Sequence, residues 1–202
     1  LGTTWTVTAS TGSGDGTLGL NMTNSTGVTD SSGNALTNVP FTGAVYSLDR
    51  TAPTLSSIVL VNSNPTNAAN VQFTVTFSES VSGLTASNFN VVSTGLGGSR
   101  IVTNISGSGT TWNVTVSTGT GNGTLGLNMV NSTGVADTAG NALSNLPITG
   151  PVYTLDRTAP TVASIVRASS DPTNAASVQF TVTFTESVSG VTAGNFSLLS
   201  GG

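Results

Sequence analysis

Cysteine, histidine and lysine are all missing from this chain, and Arg50, Arg100, Arg157 and Arg167 are its only cationic side chains. Without cysteine there are neither disulfides nor thiolate metal sites. The usual general base, the Schiff-base amine and the thiol nucleophile are gone together, and serine and threonine are not nucleophiles until something activates them. A carboxylate pair is the one hydrolytic device left, and the acidic residues that could form it fall at a joint between repeats, which makes a poor cleft. The chain is therefore expected not to be an enzyme. Lysine's absence also excludes Lys–Asn cross-links. Charged residues are 6% of the sequence and the net charge is −4, so no basic cluster could displace counterions from a nucleic acid. No apolar run approaches the roughly 20 residues of a membrane-spanning helix, and no membrane insertion is expected of these residues.

What is present is small, β-branched and repetitive. Hydrophobic residues make up 36% and aromatics 5%, diluted by Thr, Ser, Asn and Gly. That mixture suits thin sheets with solvated faces and tight turns. The stretch Tyr46-Ser47-Leu48-Asp49-Arg50-Thr51-Ala52-Pro53-Thr54 returns as Tyr153-Thr154-Leu155-Asp156-Arg157-Thr158-Ala159-Pro160-Thr161, an offset of 156 − 49 = 107. Residues 1–50 match 108–157 at 36 of 50 positions, and 51–95 match 158–202 at 31 of 45. The chain accordingly divides into the back half of one unit (1–50), a complete unit (51–157) and the front half of a third (158–202). Leu1 falls in mid-unit, so any targeting segment is expected outside these residues.

Within 51–157, alternation and turn residues predict seven strands, near 54–61, 70–77, 88–93, 100–106, 111–118, 123–130 and 150–156. In the second, Val71, Phe73, Val75 and Phe77 point one way while Gln72, Thr74 and Thr76 point the other. Trp112, Val114 and Val116 repeat this pattern, as do Leu125, Leu127 and Met129. Phe89 and Tyr153 are expected to add bulk to the core, and Leu60, which becomes Arg167 in the next copy, to lie near the surface. Only Ser82–Ser87 offers a helical turn. The expected fold class is all-β: tandem immunoglobulin-like, seven-stranded antiparallel β-sandwiches in an end-to-end array.

An odd number of strands brings the chain in at one pole and out at the other. Almost no linker separates the units, and Pro53 and Pro160 stiffen the joints. The pole where the chain comes in gathers Asp49, the loop holding Glu79 and the loop holding Asp137 and Asn141. Calcium takes six to eight oxygen ligands, which makes these four residues candidate ligands, with Asp156 and Glu186 their counterparts at the next joint and Asp30 and Asn34 belonging to the preceding one. The competing reading pairs Asp49 with Arg50 or a loop, leaves Glu79 solvated and gives Asp137 to a turn.

The runs Leu48–Thr54, Val71–Val81 (VQFTVTFSESV), Gly123–Asn128 (GTLGLN) and Asp137–Leu143 (DTAGNAL) resemble tandem bacterial Ig-like repeats. That resemblance implies a large secreted or surface-anchored prokaryotic protein, such as an adhesin or a biofilm or stalk component, with calcium stiffening the joints in some relatives. Where relatives are often Asp-rich, this chain has Asn128, Asn131, Ser132 and Thr133. The function expected is that of a structural repeat of an extracellular rod, filament or sheath, with neighbouring repeats and identical chains as partners. The alternative is an adhesive module that grips carbohydrate or a cell surface. Glycan is a further possible partner through the sequons at Asn21, Asn24, Asn104, Asn113, Asn122, Asn131 and Asn195, most of which are expected to be exposed.

Overall fold

The computed structural model describes residues 2–200, which form two compact units that divide after Leu155. The first unit opens with an antiparallel pair, β1 (Gly16–Met22) and β2 (Phe41–Leu48). It continues through β3 (Leu55–Leu60), β4 (Asn70–Phe77), β5 (Phe89–Thr94), β6 (Val102–Ser108), β7 (Thr111–Ser117), β8 (Gly123–Met129) and β9 (Ile148–Leu155). Strands β3-β4-β7-β6 make one antiparallel sheet and β5-β8-β9 another. Four strands facing three in this order is the arrangement of an immunoglobulin-like sandwich.

Period-two alternation drives the packing. Val71, Phe73, Val75 and Phe77 of β4 are buried against Val114 and Val116 of β7 and against Leu125, Leu127 and Met129 of β8, while Gln72, Thr74 and Thr76 remain half-exposed. Burying one such side chain stabilises the fold by about 1.5–3 kcal/mol before chain entropy is set against it. On β3 the buried pair Leu55 and Ile58 has odd spacing, because a bulge between Leu55 and Ser57 resets the face. Leu60 is partly buried and packs against the core, further in than the arginine at its counterpart suggests. Arg167 itself is exposed and ion-paired with Asp171.

Tyr153 ties the two sheets together. Its ring stands edge-on to Phe73 at 5.2 Å. Its hydroxyl donates to the Gln72 carbonyl (2.6 Å) and accepts from the amides of Val61 and Asn62 (2.9 Å each). β6 begins two residues later than the alternation predicts, because Arg100 is held in the preceding loop by bonds to the carbonyls of Leu96 and Gly98. β9 begins at Ile148, two residues early, pairing with Met129 past a bulge in the β8 pairing. It tolerates Pro151 because it lies at the edge of its sheet. A short 3-10 turn, Ala86–Asn88, overlaps the end of the Ser82–Ser87 stretch expected to turn and runs one residue past it.

β3 starts beside the end of β4, with Leu55 opposite Phe77, whereas β9 ends beside the start of β8, with Leu155 opposite Gly123. The backbone therefore comes into this sandwich at one pole and reaches Leu155 at the other. The second unit contains β10 (Val162–Arg167) and β11 (Phe180–Phe184), paired antiparallel, and a 3-10 turn at Ala193–Asn195. Both outer pairs repeat the sandwich at the 107-residue offset. Gly16 opposite Leu48 matches Gly123 opposite Leu155, and Val162 opposite Phe184 matches Leu55 opposite Phe77, each with its bulge at the equivalent place.

Candidate functional site: the acidic joint

The segment between β2 and β3 is bonded on both sides. Toward the earlier residues, the Arg50 amide donates to Asp15 Oδ1 (2.6 Å), and the guanidinium reaches the Gly14 carbonyl and Thr11 Oγ1 (2.6 Å each). Thr51 Oγ1 donates to Asp15 Oδ2 (2.6 Å). Toward the sandwich, the Asn141 side chain donates to the Asp49 carbonyl (3.1 Å), and the Ser144 amide donates to the carbonyl of buried Pro53 (2.9 Å). Thr54 N donates to Ser78 Oγ, and Asn145, whose φ is 63°, brackets Leu55 by accepting from its amide and donating to its carbonyl.

Three carboxylates meet here. Asp49, Glu79 and Asp137 each offer an oxygen, and the three oxygens lie within 4.8 Å of one another. Asp49 Oδ1 accepts from the Thr51 amide (3.0 Å), so its immediate partner is that amide, while Arg50 turns away to the 11–15 loop. Asp137 is 8% exposed and both its oxygens accept from Asn141, Oδ1 from the amide (2.9 Å) and Oδ2 from the side chain (2.8 Å). Desolvation alone would raise its pKa. The hydrogen bonds from Asn141, Gly140 and Ala139 outweigh that, and the carboxyl is held below its ordinary value. Glu79 has the opposite balance: lost hydration, followed by repulsion from Asp49, Asp137 and Asp15, raises its pKa. Among the described residues no hydrogen-bond donor reaches its carboxylate.

The sequence placed Asp49, Glu79, Asp137 and Asn141 at one pole, and they are together there. Asn141 acts on the joint and on Asp137 through its amide nitrogen. Asp156 accepts from the Thr158 amide as Asp49 does from Thr51, and Glu186 is half-buried, but among the described residues neither belongs to a cluster of three acidic groups. Asp30 and Asn34 reproduce the Asp137–Asn141 turn, with 2.8 Å bonds from both the amide and the side chain of Asn34. Asp15 was not among the residues singled out from sequence. Its counterpart is Asn122, so comparison of the repeats hides it, and only the fold brings it against Arg50 and Thr51. Asn88 was missed as well. It is fully buried, accepts from Thr85 N (2.7 Å) and donates to the carbonyls of Asn131 and Thr133. Of the seven sequons, Asn113 and Asn131 are half-buried and the other five are exposed.

Two antiparallel sheets packed face to face, β3-β4-β7-β6 and β5-β8-β9, define an immunoglobulin-like module. Residues 49–148 match the bacterial Ig-like domain family, and that stretch is a bacterial Ig-like domain. Searches of curated proteins and of solved structures found no match to the chain. No helix among the described residues is long and apolar enough to cross a membrane.

Proposed function

We propose that the chain is a structural repeat of a long extracellular or cell-surface protein, a stiff spacer whose sandwiches follow one another in a rod, filament or sheath, without catalytic activity. The observation that carries this reading is the joint at 49–54. Arg50 and Thr51 are tied backward to Asp15 while Asp49 and Pro53 are tied forward to Asn141 and Ser144, so the connector has bonds on both flanks and little freedom to bend. Arrival of the backbone at one pole and exit at the other supports lengthwise stacking. Trp112, the side chain a sugar-binding platform would display, packs half-buried against the core with its indole N–H on the Gly109 carbonyl, which favours the spacer over the adhesive module. Scattering from chains with increasing copies of residues 51–157 tests this: the maximum dimension should grow linearly, by about 40 Å per copy. Growth with the square root of copy number would sink it.

Calcium at the joint belongs to the same proposal. Oxygens bound to one calcium at roughly 2.3–2.6 Å lie no more than about 5 Å apart, and the spacing of the Asp49, Glu79 and Asp137 oxygens meets that limit. These three residues would hold the ion, with Asn141 orienting Asp137, and the ion would supply positive charge where Glu79 now faces like charge. Thermal melts in calcium and in chelator test it. The parent should melt higher with calcium and Glu79→Gln should lose that difference; superimposable parent curves would remove calcium from the account.

A further inference from the structure

An asparagine followed two residues later by serine or threonine is an acceptor for N-linked sugar, and the sandwich carries four such sites, at Asn104, Asn113, Asn122 and Asn131. The fold treats them differently. Asn131 is half-buried, and its Nδ2, the atom a sugar would join, donates to the Ser87 carbonyl (2.7 Å) while its Oδ1 accepts from Asn88. Asn113 is half-buried on β7, between β4 and β6. Its Oδ1 accepts from Thr74 Oγ1 (3.0 Å), and the hydroxyl of its sequon partner Thr115 accepts from Gln72. Asn122 is exposed, but the hydroxyl of its partner Thr124 shares a hydrogen bond with Thr94 Oγ1 (2.7 Å). Asn21, Asn24 and Asn195 match Asn128, Asn131 and Asn88 at the 107-residue offset, and the sandwich buries or half-buries those three positions.

Asn104 differs on every count. It lies on β6, the outermost strand of its sheet, which pairs on one side only. A bulge between Val102 and Asn104 lets Val102 and Ile105 both pack against the core, which leaves Asn104 and Ser106 on the outer face, opposite Thr115 and Asn113. Both are exposed, and among the described residues no hydrogen bond engages either side chain. In an extended strand these two side chains project from one face, so an enzyme meets the amide and the hydroxyl together. The unpaired side of β6 leaves backbone groups for the same enzyme to bind as it would an extended peptide. Beside Asn104, a shallow groove between β6 and the Leu84–Ala86 segment gives a sugar ring room.

We propose that Asn104 is the site at which the folded sandwich accepts an N-linked sugar. The donor is a sugar diphosphate, nucleoside-linked or lipid-linked, brought by a transferase that reads the sequon. Asn104 Nδ2 forms a bond to the anomeric carbon of the sugar as the bond from that carbon to the diphosphate oxygen breaks. The diphosphate leaves with the electron pair, and the amide proton passes to a base of the transferase. The attached sugar stands beside the unpaired edge of β6 and hinders another strand from adding there. This goes beyond the spacer reading and does not depend on the joint or on calcium.

The test uses the folded 202-residue chain and two transferases, each chosen because it glycosylates free peptides spanning all four sites. One arm supplies UDP-glucose to a soluble enzyme, and the other a lipid-linked sugar diphosphate to a membrane enzyme. Mass spectrometry of the digested product reads occupancy site by site. In at least one arm Asn104 should carry most of the sugar found within 51–157, and the productive arm identifies the donor. Asn104→Gln should lose that sugar, and so should Ser106→Ala, which keeps the acceptor and removes only the hydroxyl. An Asn104 left bare in both arms, one matched in both arms by Asn113, Asn122 or Asn131, or a Ser106→Ala chain glycosylated like its parent would overturn the proposal. The spacer reading, which is tested by scattering from longer arrays, would survive any of these results.

Discussion

Replacing Tyr153 by Phe removes one oxygen from the centre of the sandwich and keeps the ring against Phe73. The hydroxyl serves three backbone groups, the Gln72 carbonyl and the amides of Val61 and Asn62. Val61 N keeps a second acceptor, since it also donates to Gln72 O at 3.1 Å, and Asn62 is exposed enough for water to replace part of its loss. Two bonds' worth of net stabilisation should therefore disappear, about 2 kcal/mol. For a domain of this size that corresponds to a melting temperature lower by roughly 8–16 °C. The chain carries its own control. Tyr46 occupies the matching position but is largely exposed, so Tyr46→Phe should change stability by less than about 0.5 kcal/mol. Both substitutions should be followed by circular dichroism in thermal and denaturant melts. If Tyr153→Phe melts with its parent, or if Tyr46→Phe falls as far, the hydroxyl does not hold the sheets together and the reasoning fails.

Asn145 combines a left-handed backbone, φ 63°, with two bonds to Leu55. Asn145→Gly should lose the bonds alone, about 1–2 kcal/mol, and Asn145→Ala a further 1 kcal/mol or so for placing a β-carbon in that conformation; equal melts for the two variants would refute the strain component. The acidic joint gives pH dependences of opposite sign. Glu79, raised above its ordinary 4.5, contributes stability that is fully present below that value and lost as pH rises through its native value. In chelator the parent should therefore become more stable as pH falls from neutral through the native value of Glu79, and Glu79→Gln should abolish that rise; an unaltered profile in the variant would exclude Glu79 as its source. Asp137, held below its ordinary 3.8, contributes stability above that value that is lost as pH falls through its native one, so Asp137→Asn should flatten the acid limb of the denaturation curve. An unchanged acid limb would show that its hydrogen bonds do not favour the ionised form.

The sandwich was legible because a strand with one buried face records its direction in every second residue. Val71, Phe73, Val75 and Phe77 announce β4 to the residue, and the 107-residue repeat checks every strand of the sandwich except β6 against a second copy. The edges of elements were less legible. β6 starts late because Arg100 is captured by the carbonyls of Leu96 and Gly98, and β9 starts early because a bulge lets Ile148 reach Met129. Neither event leaves a periodic trace. The convergence of Asp49, Glu79 and Asp137 could be reasoned from strand parity, since parity assigns loops to poles.

What the amino-acid order determined by itself is whatever depends on neighbours along the chain: strand positions, inward and outward faces, the repeat and its phase. Only the tertiary structure decided what depends on groups far apart in sequence. It aimed the hydroxyl of Tyr153 at Gln72, drew Arg50 away from Asp49 to the loop at Asp15, and buried Asn88 among the carbonyls of Asn131 and Thr133. Groups of that kind meet only when the two sheets close, and no local pattern of residues records which carbonyl a distant side chain will reach.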